Sequence, residues 1–102
     1  MINLDELELL ITGWAEDRNL VTGTTSDKQF LKLAEEVGEV AECLAKGYHE
    51  GLAGEIGDTV VVLTILAAQN GLTLNQCVQA AWMKIKDRKG RMENGVFIKD
   101  GD

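Results

Sequence analysis

The sequence predicts an all-α fold, a four-helix bundle-like protomer that associates with further copies through its helices. Two observations support this fold class. Hydrophobic residues make up 45% of the 102 positions, while proline is absent and only five residues are aromatic, so the core must be built mainly from small and branched aliphatic side chains, which suits closely packed helices. Apolar residues also recur at helical spacing between glycine- and threonine-containing breaks. A chain of this length allows a single domain, 1–102.

The first two helices are predicted from capping residues and apolar stripes. The first is expected over about Leu4–Arg18, after an N-cap at Asn3. The second is expected over about Asp27–Lys46, capped by Ser26 and ended by Gly47. Its apolar residues lie on one side of the helix, which predicts that this side faces the core.

The third segment, about Gly51–Asn70, contains the β-branched run 59–65, which favours a strand by propensity. Its length decides for a helix, because strands rarely exceed about ten residues. A fourth helix is expected to begin after Thr73 and to end near Met92. The polar tail that follows contains one apolar patch, 96–98, which is predicted to dock on the helices.

Charge and cysteine content limit the partners and the compartment. The formal charge of −7 argues against a broad nucleic-acid-binding face, which needs stripes of Lys and Arg. The longest apolar run, 60–68, is too short to span a bilayer, so no membrane partner is expected. Cys43 and Cys77 lie in apolar stretches and are predicted to be buried free thiols. With no leader sequence recognised, we expect a soluble, cytoplasmic protein.

Two pairs of acidic residues lie on consecutive helices. Glu36 and Glu39 lie at the edge of the core-facing stripe of the second helix, and Glu55 and Asp58 share one face of the third. If the two helices pack antiparallel, both pairs face the same gap. Four converging carboxylates repel one another unless a cation neutralises them, and oxygen-only ligands favour Mg²⁺ or Mn²⁺. The alternative is an ordinary solvated acidic surface.

The spacing of these acids resembles a known signature. Segment 35–39, fifteen further residues and segment 55–58 are similar to the E-E-x-x-E … E-x-x-D pattern of the all-α nucleotide pyrophosphohydrolases, a superfamily that includes MazG proteins, dimeric dUTPases and phosphoribosyl-ATP pyrophosphohydrolase. Three further segments resemble small MazG-like proteins: Trp14-Ala15, Leu31-Lys32-Leu33 and Arg88-Lys89-Gly90-Arg91. The resemblance covers most of the chain.

The resemblance implies a Mg²⁺-dependent hydrolysis of nucleoside triphosphates to the monophosphate and pyrophosphate, in a homodimer or homotetramer. The residues that match its metal ligands are Glu36, Glu39, Glu55 and Asp58. Glu35 points about 100° away from Glu36 on the helix, so it is interpreted either as a residue that supports the metal ligands without binding the metal or as one that helps to orient the attacking water. Glu35 and Glu39 are therefore the predicted catalytic residues.

Lys84 and Arg88 are four residues apart, so on one helix they share a face that can bind phosphate. The alternative is that they only complement the negative end of the helix dipole.

Lys32 is expected to form a salt bridge with an acid one turn away, Trp14 to lie in the core rather than to stack on a base, and His49 to lie on the surface.

Two other functions remain open from the sequence. Phosphoribosyl-ATP pyrophosphohydrolase has a similar length, but its usual aromatic-His pair after the second acidic motif is replaced here by Thr59-Val60. A non-enzymatic helical module that binds metal or nucleotide would also need the acids. The Lys84 and Arg88 pair favours hydrolysis, because a metal store needs no phosphate ligands.

Overall fold

A computed structural model of the chain describes residues 1–101 and confirms the predicted all-α class. Four helices are followed by one β-hairpin. The elements are α1 (Leu4–Asp17), α2 (Ser26–Ala45), α3 (His49–Gln69), α4 (Leu74–Ile85), β1 (Gly90–Glu93) and β2 (Val96–Lys99). The third segment is a helix, as its length indicated.

Side-chain caps define where the first two helices begin. The Asn3 side chain accepts a hydrogen bond from the Glu6 backbone N–H at 2.8 Å, as predicted. The predicted cap of α2 is wrong by one residue. The Thr25 hydroxyl accepts from the Lys28 N–H at 3.2 Å, and Ser26 is already helical. Thr25 is extended there, with φ −109° and ψ 160°, which is the conformation of an N-cap residue.

The predicted end of the fourth helix near Met92 is wrong, because α4 ends at Ile85 and the chain turns back on itself. The turn is formed by Asn94 and Gly95, both with positive φ, at 51° and 80°. This pair is the preferred turn of a tight β-hairpin. It aligns β1 and β2 antiparallel, so strand pairing replaces the last helical turns.

The apolar tail patch 96–98 does not dock on the helices as expected. It forms β2, and its side chains remain 58%, 48% and 39% exposed. Gly90 lies opposite Lys99, and a side chain there would overlap the backbone of Ile98 and the ring of Phe97. The hairpin is therefore closely packed within itself while both strands are open to solvent.

Helix α3 occupies the centre, since α1, α2 and α4 all pack against it. The connection from α2 to α3 is short, and Gly47 ends α2 with φ +66°, as predicted. The two helices consequently lie side by side and antiparallel. Within the described residues the buried hydrophobic core is small, and α4 contributes no buried residue. The members of this core are Ala15, Cys43, Val62, Ile65 and Ala67.

A carboxylate on α1 attaches α4 to the rest of the protein. Glu8 accepts hydrogen bonds from the backbone N–H groups of Leu74, at 2.5 Å, and Asn75, at 3.4 Å. These are amides of the first helical turn, which have no partner inside the helix. Thr73 and Gln76 form a capping box there. The start of α4 is thus held by polar contacts, whereas its sides are exposed.

The protomer exposes much more surface than a compact protein of its mass. Its radius of gyration is 16.2 Å, against about 13 Å for a compact domain of this length. Its accessible surface is 7751 Å², against about 5,700 Å² for a compact monomer of 11.1 kDa. The difference of about 2,100 Å² lies in the range of substantial protein–protein interfaces.

Two side chains that were expected inside lie at the surface. Cys77 is exposed, and Trp14 is 46% exposed with the Arg18 guanidinium 4.5 Å above its ring. Cys43 is buried as predicted, and its thiol donates to the Tyr48 carbonyl at 2.8 Å. Both predictions of burial were wrong for the same reason. Helical spacing identifies the apolar face of a helix, but it does not show whether another part of the same chain covers that face.

Helix α3 has an unusual hydropathy. Within residues 1–101 it is the one helix that is long and apolar enough to cross a membrane by length and composition, with a mean hydropathy of 1.6. The sequence interpretation considered only the uninterrupted run 60–68 and therefore underestimated this helix. A single such helix is weak evidence of a membrane span, since central helices of soluble proteins share these properties. Only 22% of its most apolar stretch is buried within the protomer.

Candidate metal centre

Helices α2 and α3 bring four acidic side chains together at their shared face. Each contributes one carboxylate oxygen to a group whose members all lie within 4.8 Å of one another. Two come from α2 and two from α3, three residues apart in each helix, so each pair lies on one helix face. The four are the acids that the spacing singled out: Glu36, Glu39, Glu55 and Asp58.

The acidic cluster is buried on one side and open on the other. Glu36 is only 7% exposed and Glu55 is partly buried, whereas Glu39 and Asp58 are exposed. The Oε2 atoms of Glu36 and Glu55 are buried and have no hydrogen-bond partner among the described residues. Buried polar oxygens are normally satisfied. Two unsatisfied carboxylate oxygens in one cluster therefore indicate that the cluster needs a cation or a donor.

Glu39 and Glu55 lie close enough to influence each other's ionisation. The pKa of Glu39 is raised above its usual 4.5, first by the hydrogen bond that Glu55 shares with it, then by loss of solvent and by repulsion from the Glu55 charge. Glu36 opposes the shift by a further hydrogen bond. The cluster thus favours holding a positive charge, either a proton or a metal ion.

Lys32 is the cation that the described residues place beside the cluster. Its ammonium lies 3.3 Å from Glu36 Oε1 and 3.4 Å from Glu35 Oε1, which confirms the predicted salt bridge. The two carboxylates raise the pKa of Lys32, mainly through these hydrogen bonds. Lys32 reaches the oxygen of Glu36 that is not orphaned, so it leaves the buried oxygens unsatisfied.

The donor set fits a hard divalent cation. All four candidate ligands are carboxylate oxygens, the atoms that Mg²⁺ and Mn²⁺ prefer. An octahedral ion with bonds of about 2.1 Å holds opposite ligands about 4.2 Å apart. The four observed oxygens lie within 4.8 Å of one another, close to that spacing. The four residues are arranged so that they could hold such an ion.

The remaining predicted site residues lie outside this cluster. Glu35 is exposed, and the Lys32 ammonium that contacts Glu36 contacts it too. Lys84 lies in the last turn of α4, but Arg88 follows the helix end, so the predicted shared helix face is wrong. Both basic residues are exposed, and no ion pair or hydrogen bond within residues 1–101 connects either of them to the acids.

Two open clefts border the acidic cluster, and the sequence did not reveal either of them. One has a volume of about 340 Å³ and extends from Glu39 and Glu55 toward the α2–α3 connection, where Lys46 and Tyr48 line it. The other, of about 430 Å³, lies between α1 and α3. Its lining residues are Leu10, Ile11, Trp14, Asp58 and Val61. Helical spacing predicts which face a residue occupies, but clefts depend on how far the helices separate.

The protomer is all-α, and four carboxylates converge between two of its antiparallel helices. This arrangement defines a class of acidic site that attracts cations. The family follows from the sequence comparison, since residues 24–92 match the MazG nucleotide pyrophosphohydrolase domain. The chain belongs to this family, whose members are typically dependent on a divalent metal. All four acids lie inside the matched segment, whereas β2 lies beyond it.

One similar protein comes from Haemophilus phage HP1 and is described as an uncharacterized 18.2 kDa protein in the rep-hol intergenic region. It is 49% identical over 70 residues, which cover 69% of this chain and 43% of the phage protein. The match therefore spans less than half of that relative. No solved structure matches the chain significantly.

Proposed function

We propose that this protein hydrolyses ribo- or deoxyribonucleoside triphosphates to the monophosphate and pyrophosphate in the cytoplasm, as part of the control of nucleotide pools. Mg²⁺ is the proposed cofactor, with Mn²⁺ as a substitute. The observation that carries the proposal is the pair of buried, unpartnered carboxylate oxygens on Glu36 and Glu55. They lie within a group of four acids whose atoms are spaced for one shared cation.

Each acid has a role suited to its exposure. The buried or partly buried carboxylates of Glu36 and Glu55 would hold the ion together with the exposed carboxylates of Glu39 and Asp58. Bound there, a divalent cation supplies polarisation of a phosphoryl oxygen, a lowered pKa of a bound water, and shielding of the triphosphate from the acids. Without that shielding the cluster would repel any phosphate.

The hydrolysis needs a water molecule placed beside the α–β anhydride. Glu35, exposed next to the cluster and positioned by Lys32, orients this water. The oxygen of the water bonds to one phosphorus of the anhydride, and the bridging oxygen leaves with the other phosphate. Glu39 accepts the proton that the water gives up.

Lys84 and Arg88 are proposed to bind the phosphates that leave as pyrophosphate. Both side chains are exposed. The 340 Å³ cleft beside Glu39 and Glu55, with Lys46 at its edge, offers space for the rest of the nucleotide. These positions leave the base and the sugar unspecified.

The functional unit is proposed to be a homodimer or a homotetramer. About 2,100 Å² of surface beyond that of a compact monomer supports this assembly. An apolar groove of about 520 Å³ between α3 and α4 is part of that surface, and Leu63, Ala67 and Val78 line it. Association is the usual way in which a small domain covers such a face, most often as a two-fold dimer.

A substrate screen tests the activity directly. Purified protein with Mg²⁺ is offered the eight common ribo- and deoxyribonucleoside triphosphates, and released pyrophosphate and monophosphate are quantified. Glu39→Gln and Asp58→Asn should each lower kcat by at least about 100-fold. Asp27→Asn is the matched control, because Asp27 is an exposed carboxylate at the start of the same helix as Glu39, away from the acidic cluster and from the cleft beside it.

The products separate the competing functions. Release of diphosphate and orthophosphate would contradict cleavage between the α- and β-phosphates. Turnover of phosphoribosyl-ATP alone would establish the alternative pyrophosphohydrolase. Tight binding of Mg²⁺ without hydrolysis of any nucleotide would instead support a non-enzymatic module.

A further inference from the structure

The β-hairpin 90–99 is exposed on both of its faces. Cross-strand partners share a face, so Met92 and Phe97 lie on one side, and Ile98 lies on the other beside Arg91. The three apolar side chains are at least 39% exposed, and the charged side chain of Arg91 is also at the surface. A surface hairpin usually turns one polar face to water. Here apolar side chains protrude from both faces.

A hairpin of this size needs support from outside itself. An isolated two-stranded hairpin is at best marginally stable in water, and its unpaired edges remain available for further hydrogen bonds. The turn at Asn94-Gly95 and the close packing of Phe97 against Gly90 favour its shape. They do not bury its apolar side chains. A covering surface would supply the missing burial.

The charge of this segment differs from that of the rest of the protein. Residues 84–99 carry six basic and two acidic side chains, a net charge of +4, whereas residues 1–83 carry four basic and thirteen acidic ones, a net charge of −9. Six of the ten basic residues of the chain are thus concentrated in one C-terminal arm, 84–99. Such an arm is attracted to an acidic protein surface rather than to a second basic surface.

The outer face of α1 combines acidic and apolar groups in the way that this arm requires. The helix contains five acidic residues and no basic one. Glu6, Glu16 and Asp17 are exposed on it and make no ion pair among the described residues. Leu9 and Leu10, each at the edge of a cleft beside this face, are 75% and 59% exposed. Acids in the last turn are opposed by the helix dipole, so an external cation would stabilise them.

We infer that the C-terminal arm of one copy docks on the outer face of α1 of a second copy, and that the second copy's arm returns the same contact. Apolar side chains of the hairpin cover the leucines of α1, and its basic residues lie against the acids. The inference rests on the self-association proposed above. The inference adds the identity of the segment that makes the contact. The second strand of that segment lies outside the region matched to the family.

A charge exchange between two full-length variants tests this contact. The first variant, Lys89→Glu with Lys99→Glu, reduces the arm from +4 to neutral and leaves the Arg91–Glu93 pair at 2.8 Å intact. The second variant, Glu6→Lys with Glu16→Lys and Asp17→Lys, changes α1 from −5 to +1. Neither variant alters the acidic cluster or the Glu8 cap of α4.

The variants are compared with the wild type by sedimentation equilibrium and by hydrogen exchange of the amides of residues 90–99. Each variant alone should dissociate at least about tenfold more readily than the wild type at low salt, and its hairpin amides should lose protection. An equimolar mixture should recover part of both, because in a mixed dimer the unaltered arm of one variant meets the unaltered α1 of the other. A hairpin that folds onto its own chain predicts no such recovery.

Salt provides a second measurement on the unaltered chain. The Debye length falls from about 10 Å at 0.1 M to about 3 Å at 1 M, so protection of the wild-type hairpin should decrease over this range. A wild type that is monomeric at all concentrations refutes the proposed association together with this contact. A stable dimer with unprotected hairpin amides, or a mixture that recovers nothing, refutes the contact alone.

Discussion

Replacing Glu55 with glutamine should stabilise the metal-free protein while abolishing its response to metal. The substitution keeps the shape of the side chain and removes a charge from the acidic cluster. The Oε2 atom of Glu55 is buried without a partner, and its carboxylate is the main reason for the raised pKa of Glu39. The amide group introduced by Glu55→Gln can donate to a neighbouring carboxylate, so one unsatisfied acceptor disappears and another gains a donor.

The size of the stabilisation follows from the burial of that oxygen. An unsatisfied buried acceptor costs about 1–3 kcal/mol, and the open side of the cluster places this site at the lower end. About 1 kcal/mol corresponds to a rise in Tm of about 4–8 °C for a domain of this size. The same substitution removes one of the proposed metal ligands. Mg²⁺ that binds only the native state raises the Tm of the wild type, so millimolar Mg²⁺ should no longer raise the Tm of Glu55→Gln.

Thermal unfolding followed by circular dichroism, with EDTA or with Mg²⁺, measures both effects. Glu42→Gln is the control, since it removes an equally large negative charge from an exposed position paired with Lys46 at 2.6 Å. Its metal-free Tm should not rise and its response to Mg²⁺ should persist. The reasoning is refuted if Glu55→Gln is no more stable than the wild type without metal, or if it keeps the wild-type metal response.

Three further predictions follow from the structure. Because folding raises the pKa of Glu39, the folded protein takes up a proton before the unfolded chain does. Metal-free stability should therefore increase as the pH falls from neutral toward the usual pKa of 4.5, and Mg²⁺ should abolish this increase; a Tm that decreases steadily over this range without metal would contradict it. Lys84→Ala and Arg88→Ala should each reduce kcat/KM by at least about tenfold without changing the Mg²⁺-dependent rise in Tm, and unchanged kinetics would exclude them from the site. Gly90→Ala should unfold the hairpin but not the helices, because the added carbon would overlap the Ile98 carbonyl; retained amide protection in residues 90–99 would show that the strands can separate to admit it.

The sequence predicted the helices and the acidic cluster because both depend on local periodicity. Gly47 and Gly71 end their helices with positive φ, as expected for glycine after a helix. If two consecutive helices are antiparallel, acids three residues apart on each of them can face the same gap. The spacing alone therefore predicted that the four acids lie together. The grouping of their oxygens within 4.8 Å agrees with that geometry. Their role as ligands stays a prediction.

The failures concern features that depend on competing or more distant interactions. The basic segment after Ile85 has good helix formers, yet the pairing of β1 with β2 around Asn94-Gly95 ends the helix, and Asn-Gly is the sequence signal of that turn. Arg88 consequently lies outside α4, so its predicted face with Lys84 does not exist. The exposure of Cys77 could not be derived from its apolar neighbours, because it depends on which surfaces the protomer leaves open.

The candidate metal site is contained in one uninterrupted piece of chain. All four acids lie between residues 36 and 58, within two neighbouring helices and a very short connection. Contacts so close along the sequence form early, because little chain entropy is lost in closing them. We therefore expect the candidate site and the folding nucleus to coincide, so that a substitution of one of these acids alters the rate of folding. A divalent cation bound by them would then speed folding by stabilising the helix pair in the folding transition state.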